Sequence, residues 1–123
     1  MEQQEIFDIV SRHLLTQMQV SRPVGQTEGC AYRGGDGLKC AVGILITDEE
    51  YRPEMDTGQF VDGPADTTVN SLFVRNLLPE RLRPHMVFLE ELQSIHDTYH
   101  PHCWFDQLAG FAERHNLEFR HAH

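Results

Sequence analysis

The apolar positions of this chain change their spacing twice, leaving helix-forming stretches at both ends and an irregular middle. Across residues 2–19, Ile6, Ile9, Val10, Leu14 and Met18 recur at helical spacing with Phe7 and Leu15 beside them. Glu2 and Glu5 complement the dipole of that helix's first turn. Pro23, Gly25 and Gly29 then break the pattern, so residues 21–29 form a predicted loop. In "CAYRGGDGLKCAVG" a glycine-rich turn separates two short runs, and Asp36-Gly37 is a strong turn signal because glycine takes positive φ without steric cost. The pattern predicts a β-hairpin with Arg33 opposite Leu38, Cys40 across from Ala31 and Cys30 across from Ala41. "AVGILI" either extends the second strand or starts a short helix, and in both cases Ala41 and Gly43 let another backbone approach closely.

The middle ends in "TDEEYRPEM", a predicted single turn capped by Thr47 or Asp48, with Glu50 inside it and Pro53 limiting its length. Residues 56–68 show no periodicity and are expected to form a flexible acidic loop, with Asp56, Asp62 and Asp66 and only Phe60 and Val61 as anchors. Helical spacing then returns. Val69, Leu72, Phe73 and Leu77 make a short segment stopped by Pro79. Pro84 suits the first turn of the next helix, whose buried stripe is Phe88, Leu92, Ile95 and Tyr99. Pro101 ends that helix and opens a last one carrying Trp104, Leu108, Phe111 and His115, followed by a tail at 118–123 anchored by Phe119. The expected fold is α+β but mainly α: a single domain over residues 1–123, with four or five short helices packed around a small β-hairpin.

Composition narrows the partners. Apolar content of 40% and charged content of 24% are those of a globular protein. The formal charge of −9 opposes a surface that tracks phosphates, and Arg81 and Arg83 form the densest basic group. A basic protein is therefore the expected partner, and nucleic acid is not. The acidic, polar start "MEQQEIFDIV" is unlike a secretory or transit signal, and no apolar run approaches the ~18 residues a bilayer span needs. The expectation is a soluble cytoplasmic protein in which Cys30, Cys40 and Cys103 stay reduced, and their odd number suits thiols better than a disulfide framework.

Two clusters could carry chemistry. His96 and His100 lie four apart in "IHDTYHPHCW" and share a face of a continuous helix, as zinc-binding histidine pairs do. Cys30 and Cys40 would complete a tetrahedral set with them, and thiolate and imidazole suit zinc rather than calcium or magnesium. No C-x-x-C pair is present and Pro101 interrupts the helix, so no cofactor is expected and zinc stands as the alternative. In a cysteine-enzyme reading, Cys40 is the nucleophile at a helix N-terminus and His96 its base. Adjacent helical residues point about 100° apart, which places Asp97 poorly to orient that base. Cysteine is also common as small apolar filler, and a packed Cys40 between Leu38 and Val42 is the simpler reading. A structural role for the second cluster is favoured: His96 pins two elements through a backbone hydrogen bond, Asp97 caps the start of the last helix, and Trp104 fills that junction.

Cys30, Tyr32, Arg33, Gly37, Lys39, Cys40, Ala41, Gly43, Leu45, Ile46 and Tyr51, followed later by Leu92, Gln93, Ile95, His96, Asp97 and then Trp104, form an ordered pattern. It resembles a family of small uncharacterised proteins of bacteriophages, prophages and some bacteria, with C-x-Y-R, G-x-K-C-A-x-G-x-L-I and L-Q-x-I-H-D signatures. "HPHCW" and "FRHAH" depart from that pattern. The resemblance implies no activity; its phage association implies an accessory protein that binds and inhibits or modulates a host protein. The expected function is thus a non-enzymatic interaction protein, with Tyr51, Asp56, Phe60, Asp62 and Asp66 as candidate contacts. A zinc-stabilised domain and a Cys40–His96 enzyme are the alternatives.

Overall fold

The computed structural model describes residues 1–25, 30–57 and 68–120. Its helices are α1 (Gln3–Gln17), α2 (Glu54–Thr57), α3 (Val69–Val74), α4 (Met86–Thr98) and α5 (Trp104–Arg114), with 3₁₀ turns at Gly35–Gly37, Gly43–Leu45, Glu80–His85 and Pro101–Cys103. The helical stripes of the sequence become one core. Ile6, Phe7, Val10 and Leu14 of α1 are fully buried, whereas Ile9 and Met18 from the same periodic set are exposed. Met18 takes a left-handed conformation (φ 52°) and closes α1 by donating its amide to the Leu14 carbonyl. Phe88, Leu89, Leu92 and Ile95 of α4 meet Trp104, Leu108 and Phe111 of α5 in the same interior. Phe7 stacks on Phe111 at 5.7 Å between ring centroids, and Phe88 meets Phe111 edge-on at 5.1 Å.

Tyr99 departs from its predicted stripe. It is the residue after the end of α4, extended rather than helical, and is 40% exposed. Its carbonyl instead accepts the Trp104 indole N–H at 3.0 Å, which ties the α4–α5 junction together. Pro84 lies in the preceding 3₁₀ turn, ahead of α4. The tail is anchored as expected: Phe119 packs edge-on to Phe7 at 5.6 Å and lies 5.0 Å from the Phe105 ring.

The β-hairpin does not form. No strand occurs among the described residues, and the fold is mainly α. The two runs meet at a single antiparallel bridge, Arg33 with Lys39, and Gly34 donates to the Leu38 carbonyl at 2.9 Å. The reason lies in where the other amides go. Ala31 donates to the Ser21 carbonyl at 2.9 Å, Tyr32 and Arg33 to the Asp56 carboxylate at 2.7 and 3.2 Å, and Lys39 to the Gln17 side chain at 3.0 Å. Val42 donates to the Gln93 side chain at 3.0 Å. Each amide has one hydrogen to give, so these five donors are lost to a ladder. The expected pairings of Arg33 with Leu38, Cys40 with Ala31 and Cys30 with Ala41 are absent, and the Ala31 amide goes to Ser21 instead. Asp36 (φ 60°) and Gly37 (φ 75°) still turn the chain where the sequence placed the turn.

The rest of the middle is a strap laid across the helices. Thr47 and Glu50 exchange reciprocal amide–side-chain bonds at 3.0 and 3.2 Å, the expected cap. Of the expected acidic loop, Asp56 and Thr57 fall in α2, Thr68 caps α3, and residues 58–67 lie outside the described residues, as do 121–123. Among the described residues, no helix is long and apolar enough to cross a membrane.

Candidate functional site

One face of α4 builds the site. Leu92 and Ile95 turn into the core, which leaves Gln93 and His96 on the flank against the strap and Asp97 at the rim. His96 is fully buried and stacks on Trp104 at 5.5 Å with 28° between the rings. Its Nε2 accepts the Ser21 amide at 2.9 Å, and its Nδ1 lies 2.7 Å from Asp97 Oδ1. A backbone amide can only donate, so Nε2 holds the lone pair and the single proton of the neutral ring sits on Nδ1, aimed at the carboxylate. Gln93 completes the arrangement by donating to the same Asp97 oxygen at 2.8 Å while its carbonyl oxygen takes the Val42 amide.

Cys30 also lies beside Asp97. Burial, and then the negative charge and hydrogen bonding of Asp97, push its thiol up to about 12. Ligand atoms of Cys30, His96 and Asp97 all lie within 4.8 Å of one another, so these three residues could hold a metal ion. They open onto a cleft of about 850 Å³ whose walls also include Arg22, Asp36, Tyr99, His100 and His102. His100 and His102 are exposed on that rim with ring centroids 4.2 Å apart, and His100 Nδ1 accepts the His102 amide at 3.3 Å.

The sequence-based set of metal ligands is thus divided. Cys30 and His96 come together, and His100 shares their cleft. Cys40 belongs to no such group: it is fully buried, its sulfur accepts the Gly43 amide at 3.3 Å, and burial pushes its thiol far up. Asp97 is the ligand that the sequence reading left out of the set. Its short side chain reaches back to His96, contrary to the expectation from ideal helical spacing, and Gln93 helps to hold it there. In place of the cap expected from Asp97, His100 caps the 3₁₀ turn Pro101–Cys103 that leads into α5, and α5 itself begins without a side-chain cap. Packed filler describes Cys40 but not Cys30, which lines the cleft beside an imidazole. Both ring nitrogens of His96 are engaged with Ser21 and Asp97, and the sulfur of Cys40 is engaged with the Gly43 amide.

The remaining pattern residues hold the strap. Arg33 donates to the Ile46 carbonyl at 3.0 Å, pairs with Asp48, and lies 4.8 Å over the Tyr51 ring. Tyr51 donates its hydroxyl to Asp56 at 2.6 Å, and burial and that carboxylate push the phenol up. Asp56 therefore accepts from Tyr32, Arg33 and Tyr51 at once. Of the candidate partner contacts, Tyr51 and Asp56 serve this internal network, and Phe60, Asp62 and Asp66 lie outside the described residues. A Cβ at Gly43 would fall 2.1 Å from the Tyr32 carbonyl oxygen, the close approach foreseen for that glycine. The backbone of Lys39 is gripped by His13 and Gln17, whose side chains reach its carbonyl at 2.7 and 2.9 Å. His13 and Gln17 carried no signal beyond their place on the flank of α1.

Comparison with known protein families, with curated proteins and with solved structures finds no match to this chain.

Proposed function

We propose that the chain is a non-enzymatic binding protein whose working surface is the cleft beside the end of α4. One observation carries the reading: the groups chemically suited to catalysis are tied to one another as walls, around a cleft that stays open. The buried imidazole is saturated by Ser21 and Asp97, and burial and Asp97 raise the hold of the cleft thiol on its proton. Tyr99, His100, His102 and Asp36 stand exposed on the rim, where a partner can meet them. The −9 charge of the chain favours a basic protein as that partner by steering its approach. The resemblance to phage and prophage proteins adds a host factor as the kind of protein to look for.

The test is affinity capture from bacterial lysate with the wild-type chain and an Asp36→Lys, Tyr99→Ala double variant. A basic protein retained by the wild type, eluted by moderately raised salt and lost from the variant is the expected result. Repeated recovery of nothing at low and moderate salt removes the reading, and equal capture by the variant moves the contact surface away from the cleft.

A further inference from the structure

We propose that Cys30, His96 and Asp97 form a binding site for a soft divalent cation of the zinc type, and that this cation and the Ser21–His96 hydrogen bond exclude each other. The inference goes beyond the partner-binding reading and does not depend on it. The three side chains offer sulfur, nitrogen and oxygen within one 4.8 Å set, a mixture that suits zinc better than the hard cations. Around zinc, bond lengths of about 2.0–2.3 Å bring such ligand atoms to within roughly 3.5 Å of each other. Closing the site therefore needs a movement of about 1 Å, and Cys30, which belongs to no helix, is the residue to supply it.

Charge favours the exchange. The cluster pairs one carboxylate and one ionisable thiol with an imidazole. A divalent cation displaces the Cys30 proton to solvent, forms the sulfur–metal bond, and leaves thiolate and carboxylate to balance its two positive charges. Three protein ligands leave the fourth tetrahedral position to water in the cleft.

The exclusion follows from counting lone pairs. A neutral imidazole has one bare nitrogen and one carrying a proton, and here the bare one, Nε2, is taken by the Ser21 amide. A metal bound at Nε2 removes that acceptor directly. A metal bound at Nδ1 forces the ring proton onto Nε2, where it faces the Ser21 N–H as donor against donor. Either way the bond joining the strap to α4 at Ser21 is broken, so the Ser21 amide reports on the metal. A cation held only by the rim imidazoles of His100 and His102 leaves that amide untouched.

The experiment uses the full untagged chain stripped of metal and titrated with zinc chloride. Bound zinc per chain, proton release in weak buffer and the amide spectrum of ¹⁵N-labelled protein are followed together. The expected result is about one zinc and one proton per chain, with the Ser21 amide shifting and losing exchange protection in step with occupancy. Cys30→Ser and Asp97→Asn each weaken binding by about tenfold or more, and the His100→Ala, His102→Ala double variant retains it. Using two single-ligand variants guards against one of them failing to fold, which the helical circular dichroism of each reveals. Less than a stoichiometric amount of bound zinc overturns the site. Binding lost with the rim histidines but kept without Cys30 also overturns it. Zinc bound through Cys30 with an unmoved Ser21 amide keeps the site and overturns the exclusion.

Discussion

The helical core and the strap share one interior, but the strap adds directional fastenings that the helices do not need. Where α1, α4 and α5 meet, large apolar side chains such as Phe7, Leu92, Trp104 and Phe111 share one interior, and each touches many neighbours. The strap of residues 18–25 and 30–57 buries Tyr32, Cys40, Val42, Ile46 and Met55 in that same interior, and is fastened in addition at points, each a single amide donating to a helix side chain or a neighbouring carbonyl. Packing is distributed and non-directional, so a lost core side chain weakens the whole domain. A hydrogen bond is local, so a lost fastening should raise exchange first at the strap amides around it.

Breaking the core is expected to give the largest effect. Trp104→Ala should lower the free energy of unfolding by about 3–5 kcal/mol in urea titration, with amides throughout the domain losing protection together. A smaller change that leaves the strap intact and core protection unaltered would erase the distinction between the two regions. Gly43→Ala comes next: the added methyl meets the Tyr32 carbonyl oxygen, and the clash should cost about 2–3 kcal/mol, read in the same titration. Gln93→Ala strands the Val42 amide in the interior and should destabilise by about 1–2 kcal/mol. Hydrogen exchange should then rise at Val42 and its strap neighbours ahead of the amides of α5. Uniform exchange would mean that the strap and core open as one unit.

The mildest probe is acid. Burial, which outweighs the opposing pull of the Lys39 carbonyl, lowers the proton affinity of His13 below its ordinary value of 6.5. The unfolded chain then binds this proton more readily than the folded one, so the contribution of His13 to stability is intact above pH 6.5 and declines as pH falls toward the lower folded value. His13→Gln should flatten that part of the stability–pH curve measured by urea unfolding. An unchanged slope would assign the acid response to other groups.

The same division decides what could be seen in the sequence. The core was legible because periodic burial is written into local spacing: Ile6, Val10 and Leu14 in α1, Leu92 and Ile95 in α4, Trp104, Leu108 and Phe111 in α5. Tyr99 kept the period yet left the core because its helix stops one residue short of it. The strap was misread because its turn chemistry is local but its fastenings are not. Asp36 and Gly37 turn the chain as expected, while the acceptors that replace a β-ladder, Gln17, Asp56 and Gln93, are far away in sequence and look like ordinary polar surface. Cys30 and His96 were both legible as chemistry-bearing residues. Asp97 was set aside by an idealised helical angle that its own flexible side chain overrides.

Capping strap amides with helix side chains has one further consequence. Exposed rows of unpaired amides and carbonyls are templates on which other chains add strands and begin to aggregate. The amides of Tyr32, Arg33, Lys39 and Val42 are already occupied, so the folded protein shields this β-prone segment from such growth. That protection is lent by residues on α1, α2 and α4, and it lapses whenever those helices are not yet assembled.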